Sequence, residues 1–412
     1  MALLPFPSVK LDWRDGNGID LLNSGADFFP ALCAAVDAAR HSVHLETYIF
    51  NLDATGRHVL DTLAAACARG VRVRVVIDGF GSHAQADELV ARLQAMGVRW
   101  RIYKPRPKGT WRRRLSPSRL RRLHRKTAVI DRCVGFVGGI NILDDYFDVP
   151  NDGCGPMPRF DFAVRLRGPL VADLLRAQRT LWLRMGWRRP DDLEGFQRRL
   201  SRLMQWRARR RPAPVPAAEP GQRAALVLRD NFRFARRIEK VYLLALREAR
   251  RDVLIANAYF FPGRRLRNAM VEAARRGVRV RLMLQGRPEY PVQHWASRHM
   301  YAELLAGGVE LYEYQPSYLH AKVAVIDDQA MVGSANLDPF SLFLAREANV
   351  WVDDAAFAQS LRTELEKALA QHCRRITSQA WNSRRIWQRF LDGVGYLVLR
   401  AGVAITGKSS EY

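Results

Sequence analysis

Short runs of β-branched residues alternate along the chain with helical patterns of apolar positions. GVRVRVVIDG (70–79) and GVRVRLMLQG (277–286) each read as a strand, and each follows an alanine-rich helical stretch, LDTLAAACAR (60–69) and RNAMVEAARR (267–276). Upstream, AAVDAARHSVHLETYIF (34–50) pairs with LALREARRDVLIANAYFF (244–261); downstream, AMGVRWRIYKP (95–105) pairs with AGGVELYEYQP (306–316). These collinear matches predict one α/β unit used twice, in tandem, each with a largely buried sheet between layers of helix. RARRRPAPVPAAEPGQR (207–223) carries four prolines and no apolar period, so it predicts a linker. The expected organisation is a first unit over 1–206, the linker 207–223, a second unit over 224–370 and a tail over 371–412.

Inside this duplicated pattern one string recurs. His124-Arg-Lys126-Thr-Ala-Val-Ile-Asp131 stands in the first unit and His320-Ala-Lys322-Val-Ala-Val-Ile-Asp327 in the second. The composition gives a chance expectation for H-x-K-x4-D of about 0.01 occurrences, against two found. TAVI and VAVI read as strands, so the His and Lys of each pair, two residues apart, point the same way. Two such pairs suit convergence on one anionic group across a pseudo-two-fold axis. Each Asp falls on the opposite side of a straight strand and reads as an orienting or turn-stabilising group. A return strand and a small-residue turn follow, VGFVGGIN (134–141) and AMVGSAN (330–336), which put Gly139 and Ser334, and Asn141 and Asn336, at matching places. Small residues let backbone amides approach a phosphate, and Asn or Ser can donate to its oxygens. An ordinary hairpin turn would use the same residue types. The connection after Asp327 is one residue shorter than that after Asp131, which predicts a tighter second hairpin and leaves the placement of Ser334 and Asn336 open.

The chain has 66 Lys and Arg against 41 Asp and Glu, a net charge of +25. Such an excess implies an anionic partner, a nucleic acid or an acidic membrane surface. The segment 104–126, KPRPKGTWRRRLSPSRLRRLHRK, concentrates eleven Lys and Arg, Lys126 included, where the second unit has only QPSYLHAK. A basic insertion beside the repeated motif is expected to dock on an anionic membrane. No groove-reading or aromatic-interleaved nucleic-acid module is recognisable, so no nucleic acid partner is expected. No run of 18 apolar residues occurs, and the first residues do not read as a signal peptide. Five scattered cysteines without a CxxC pair fit a reducing compartment and argue against zinc. Residues 380–405, AWNSRRIWQRFLDGVGYLVLRAGVAI, place Trp381, Trp387, Phe390, Leu391 and Val394 on one side of a helix. Arg384, Arg385, Gln388, Arg389 and Asp392 fall largely on the other, and Gly393, Gly395 and Gly402 interrupt it. This tail is expected to lie at a bilayer interface; the competing reading is a terminal helix packed on the core.

H-x-K-x4-D followed by G-G/S-x-N, twice in one chain, resembles the phospholipase D superfamily. HRKTAVID…GFVGGIN and HAKVAVID…VGSANLDPFS…EANV are similar to the bacterial cardiolipin synthases, and in length to their short B type. The resemblance implies two phospholipase D-like α/β/α sandwiches with an active site at their interface. It also implies phosphatidyl transfer between two phosphatidylglycerol molecules through a covalent phosphatidyl-histidine. His124 is then the nucleophile and His320 the acid/base; symmetry alone does not choose between them. Lys126 and Lys322 offset charge on the phosphate oxygens, so no metal and no other cofactor is expected. Acidic residues that anchor each histidine fall at Glu347 in EANV and Asp161 in RFDFAV. Glu46, at the end of a predicted strand, is a weaker candidate matched with Asn257 in the repeat. The expected setting is the cytoplasmic face of the bacterial inner membrane, on phosphatidylglycerol and cardiolipin, with no obligate protein partner. A phospholipase D-type hydrolase or nuclease acting on another phosphodiester is the alternative, and a non-catalytic membrane-binding protein is a weaker one.

Overall fold

A computed structural model describes residues 9–105, 121–147, 157–186, 221–230, 234 and 236–404. Residues 106–120 of the basic insertion, 207–220 of the expected linker and Cys154 lie outside the described residues.

Seven strands form the first unit: β1 (Trp13–Asn23), β2 (Ser42–Thr47), β3 (Arg72–Asp78), β4 (Arg99–Tyr103), β5 (Lys126–Ile130), β6 (Val134–Gly138) and β7 (Phe162–Arg167). Seven more repeat them: β8 (Gln222–Arg229), β9 (Asp252–Asn257), β10 (Arg279–Gln285), β11 (Glu310–Tyr314), β12 (Lys322–Ile326), β13 (Gln329–Gly333) and β14 (Glu347–Asp353); β15 (Cys373–Ile376) is added at one edge. The spatial order is β4-β3-β2-β5-β6-β7-β1-β8-β14-β13-β12-β9-β10-β11-β15. Without β15 this order is a palindrome, with β1 and β8 antiparallel at its centre. The expected tandem α/β pair is therefore one continuous sheet with its pseudo-two-fold axis between β1 and β8. Strand β8 starts at Gln222, inside the expected linker, and β15 takes residues 373–376 of the expected tail into the sheet.

Helices cover the sheet because their apolar stripes need it. In the first unit Ser24–Asp37, Ala54–Ala68 and Ala86–Ala95 bury Phe28, Leu32, Leu63 and Leu89 against strand residues such as Val43, Val75 and Phe136. The helix Ala54–Ala68 is started by Asp53, whose carboxylate accepts from Gly56 N at 2.9 Å. The glycines of the repeated GVRVR strings, Gly70 and Gly277, sit at φ +84° and +90°, in the left-handed conformation that ends a helix and aims the chain into β3 or β10. A third cluster joins the units: Val129, Val137 and Val164 pack in one core with Val323, Val332 and Val350.

The tail departs from its expected form. Trp381 lies in a separate short helix, Ser378–Asn382, buried against Tyr301 at a ring distance of 4.9 Å. Arg384 and Asp392, expected on a wet face, form a part-buried ion pair at 2.5 Å, with Asp392 turned inward. The helix Ile386–Ala404 runs unbroken through its three glycines. At Gly395 a Cβ would come within 2.7 Å of Trp295 Cβ and 3.0 Å of Ala296 N, so this glycine allows close packing on the helix Pro291–His299. No helix of the described residues is long and apolar enough to cross a membrane.

Candidate active site

Strands β5 and β12 begin on the motif lysines, and each histidine stands two residues earlier. Side chains at tips of neighbouring strands hold the approach. Asp78, the last residue of β3, accepts from Leu123 N at 2.8 Å, and Gln285, the last of β10, accepts from Leu319 N at 2.7 Å. The other unit clamps the histidine backbones. His124 N donates to Arg346 O at 3.0 Å, and His320 N donates to Phe160 O at 2.8 Å.

The carboxylates cross over. Glu347 opens β14 and Asp161 immediately precedes β7, so they are structural equivalents. His124 Nδ1 lies 2.9 and 3.1 Å from the oxygens of Glu347, and His320 Nδ1 lies 2.6 Å from Asp161 Oδ2. Each histidine is thus oriented by a carboxylate of the other half. An ionised carboxylate accepts only, so each Nδ1 carries a proton, and each Nε2 is left to attack as a free base or to hold a second proton. Ser334 tightens one side: its Oγ donates to Glu347 Oε2 at 2.5 Å, and its carbonyl lies 3.1 Å from His124 Nδ1. On the other side Gly139 has no room for a side chain, because a Cβ there would stand 2.2 Å from Asp161 Oδ1.

Charges are concentrated here. Lys126 Nζ donates to His124 O at 2.9 Å, and Lys322 Nζ donates to His320 O. Burial, opposed by Glu347 and reinforced by the other lysine, pushes Lys126 down to about 7. Burial, opposed by Asp161 and Glu347, pushes Lys322 down to about 8. Asp161 is pushed up to about 7 by burial, against the charges of Lys322 and Lys126. Both imidazoles are lowered chiefly by burial; Glu347 partly restores His124, while Lys322, Arg159 and Lys126 depress His320 further. These mutual influences place both His/Lys pairs around one centre. A monoanionic phosphodiester there would offset the lysine charges that burial penalises.

Not every expected residue reaches it. Asp131 and Asp327 directly follow β5 and β12 at φ +48° and +49°, five residues beyond the lysines and seven beyond the histidines, a strand length of roughly 20 Å or more from the histidines. Each accepts three backbone N–H groups at 2.7–3.0 Å, from residues 40–42 and 250–252. They lock the turn at the far end of the strand and have no catalytic contact. Glu46 also faces away: in register it opposes Thr127, on the Arg125 side of β5, and pairs with Arg125 at 2.9 Å. Its match with Asn257 is off by one, since Ala256 opposes Val323 as Glu46 opposes Thr127. The shorter second hairpin leaves the site unaltered. Val137 pairs with Thr127 as Val332 pairs with Val323, so the missing residue is absorbed in the turn. Asn141 and Asn336 use their carbonyl oxygens to accept from Ile49 N and Tyr259 N, at 3.2 and 3.4 Å. A role toward phosphate therefore falls to their NH2 groups.

Two site residues escaped the sequence reading. Tyr48 stacks edge-on against His124 at 4.9 Å, with Lys126 Nζ 5.3 Å from its ring centre. Its only sequence signal is the string ETYIF. Arg159 is a buried cation beside His320 and Lys322, two residues before Asp161.

The comparisons match the duplication of the chain. The family described as "Cardiolipin synthase, PLD-like domain" matches residues 32–152 and 242–369, one match per unit. The chain is 39% identical to cardiolipin synthase B of Escherichia coli K12 over 97% of this chain and 92% of that one. It is 28% identical to cardiolipin synthase 1 of Staphylococcus epidermidis over 93% of this chain and 74% of that one. Among solved structures, phosphatidylserine synthase of Haemophilus influenzae superposes with a TM-score of 0.66 over 95% of this chain and 94% of that one, at 14% identity, a likeness of fold. With two matching repeats and a relative of near-equal length, the chain belongs to the phospholipase D-like cardiolipin synthase family.

Proposed function

We propose that the protein is a cardiolipin synthase that transfers a phosphatidyl group from one phosphatidylglycerol to another, releasing glycerol. The observation that carries this reading is the pair of histidines, each fixed through Nδ1 by the opposite half and presenting Nε2 to a centre that holds two lysines. His124 Nε2 attacks phosphorus and forms an N–P bond. The P–O bond to the glycerol head-group breaks, and that oxygen takes a proton from protonated His320. A second phosphatidylglycerol then gives a hydroxyl proton to neutral His320, and its oxygen attacks phosphorus. The N–P bond breaks, leaving cardiolipin and a free His124. Lys126 and Lys322 balance the charge on the equatorial oxygens in both steps. The assignment of His124 to attack follows the family resemblance. In this reading the enzyme works on an anionic phospholipid surface, at the cytoplasmic face of the inner membrane.

Product analysis tests the proposal. Purified protein is mixed with phosphatidylglycerol vesicles, with and without phosphatidylethanolamine, and lipids and glycerol are quantified. Cardiolipin and glycerol in equal amounts are expected. Phosphatidic acid as the main product would make the enzyme a hydrolase, and no lipid turnover beside cleavage of DNA would make it a nuclease.

A further inference from the structure

The helix Ile386–Ala404 carries six exposed apolar side chains: Ile386, Trp387, Phe390, Val394, Leu397 and Val398. At 100° per residue they fall within about 120° of arc, on the side turned away from the helix Pro291–His299. Phe390 is 69% exposed and Leu397 63%, levels a soluble surface rarely gathers into one stripe. Exposed Arg389 and Arg400 border the stripe, and the helix's one acidic residue, Asp392, is turned inward onto Arg384.

The helix that carries the stripe is seated on an element that leads to the mouth of the active site. The helix Pro291–His299, on which it packs, directly follows the loop that bears Tyr290. Tyr290, 53% exposed, stands edge-on to Tyr259 at 5.8 Å, and the backbone N of Tyr259 is held by Asn336 of the site. Across the pseudo-two-fold axis the matching loop after β3 exposes Phe80, while Phe147, whose carbonyl accepts from Arg159, is exposed beside the His320 side. Of the twelve large apolar side chains exposed among the described residues, six lie on the stripe, and Phe80, Tyr146, Phe147, Tyr290 and Val292 lie in these loops or next to them in sequence.

We infer that the stripe and the aromatic mouth together form one membrane-docking face, with Ile386–Ala404 lying in the interface of an anionic phospholipid bilayer and the active site opening onto the same head-group layer. The apolar stripe enters the acyl boundary, while Arg389 and Arg400 meet lipid phosphates. A second copy of this chain would have to bring acidic groups to the same Arg-bordered face, whereas the chain as a whole carries +25. The inference rests on the proposed lipid-phosphodiester activity, and its test separates the two.

The triple variant Trp387→Ala/Phe390→Ala/Leu397→Ala removes exposed side chains only, so its thermal melt should match that of the parent. Flotation with phosphatidylglycerol vesicles should show binding weakened at least about tenfold, and turnover on those vesicles should fall alike. Turnover of short-chain phosphatidylglycerol dispersed below its micelle concentration should be unchanged. Vesicle binding within twofold of the parent would overturn the inference. So would a parent dimer that the variant turns into a monomer, since the stripe would then cover a second copy. If neither protein turned over short-chain lipid, the transfer reaction would fail, while weakened vesicle binding would still support the docking face.

Discussion

Glu347→Gln isolates the crossed anchoring. The substitution keeps the shape of the side chain and an amide oxygen that can accept from His124 Nδ1, and it removes the charge. Glu347 is fully buried, and its oxygens stand 2.9 and 3.1 Å from Nδ1. Once phosphorus is bonded to Nε2, or a proton is held there, the ring is cationic, and the carboxylate becomes its charge-assisted partner. Losing that partner at a buried site costs about 2–4 kcal/mol. The factor of ten per 1.4 kcal/mol then gives a fall in kcat of roughly 30- to 1000-fold. Turnover is read by cardiolipin formation, and the imidazoles are followed by 15N NMR. Glu347 raises the His124 pKa against burial, so Glu347→Gln should lower it and leave His320 nearly still, while Asp161→Asn should perturb His320. A kcat within threefold of the parent, or a displaced titration at His320 alone, would refute the crossed arrangement.

Further outcomes follow from the same geometry. His124→Ala and His320→Ala should each abolish transfer with an unchanged melting temperature, because neither half supplies both nucleophile and acid. Asp161 at about 7 must ionise to orient His320, and Lys126 at about 7 and Lys322 at about 8 lose their charge as pH rises; kcat/KM should therefore be a narrow bell, lost below about 7 by protonation of the carboxylate and lost upward from about 7 as Lys126, then Lys322 at about 8, deprotonate. A kcat/KM flat from pH 5 to 9 would contradict this. Activity should survive excess EDTA, since the lysines supply the positive charge; loss that a divalent ion restores, at constant vesicle binding, would count against it. Gly139→Ser should displace Asp161 and cost at least tenfold in turnover, even though Ser334 fills the equivalent position in the other half.

The duplication was legible because its markers are local. The glycines that end helices, the valine-rich strands and the H-x-K pair on one strand face each need only a few neighbouring residues. What the sequence hid depends on register and on contacts made across about 200 residues. Glu46 looked available to the site because a predicted strand end has no fixed neighbour. Pairing with β5 puts it opposite Thr127 and turns it to Arg125. The motif aspartates share a string with the histidines, yet the strand between them carries them to the opposite end of the sheet. In the tail, helical periodicity correctly marked Trp387, Phe390 and Val394 as one face, but it could not tell that Trp381 leaves the helix and packs under Tyr301.

The crossed carboxylates also explain why the two units are joined as they are. A palindromic sheet centred on β1 and β8 fixes the relative position of β7 and β14, whose leading residues are Asp161 and Glu347. Either unit alone would keep its His/Lys strand and lose the group that sets the histidine tautomer, together with the backbone acceptor at Arg346 or Phe160. Symmetry thus builds two similar histidines. Ser334 against Gly139, Glu347 against Asp161 and Tyr48 against Ala258 then make them unequal, as two steps with distinct roles require. The half holding Ser334 supports His124 through a hydroxyl-tightened carboxylate. The half holding Gly139 leaves its aspartate packed against backbone, and the neighbouring cations depress His320. In the proposed transfer, a phosphate bound between them would meet one ring poised by Glu347 and one by Asp161.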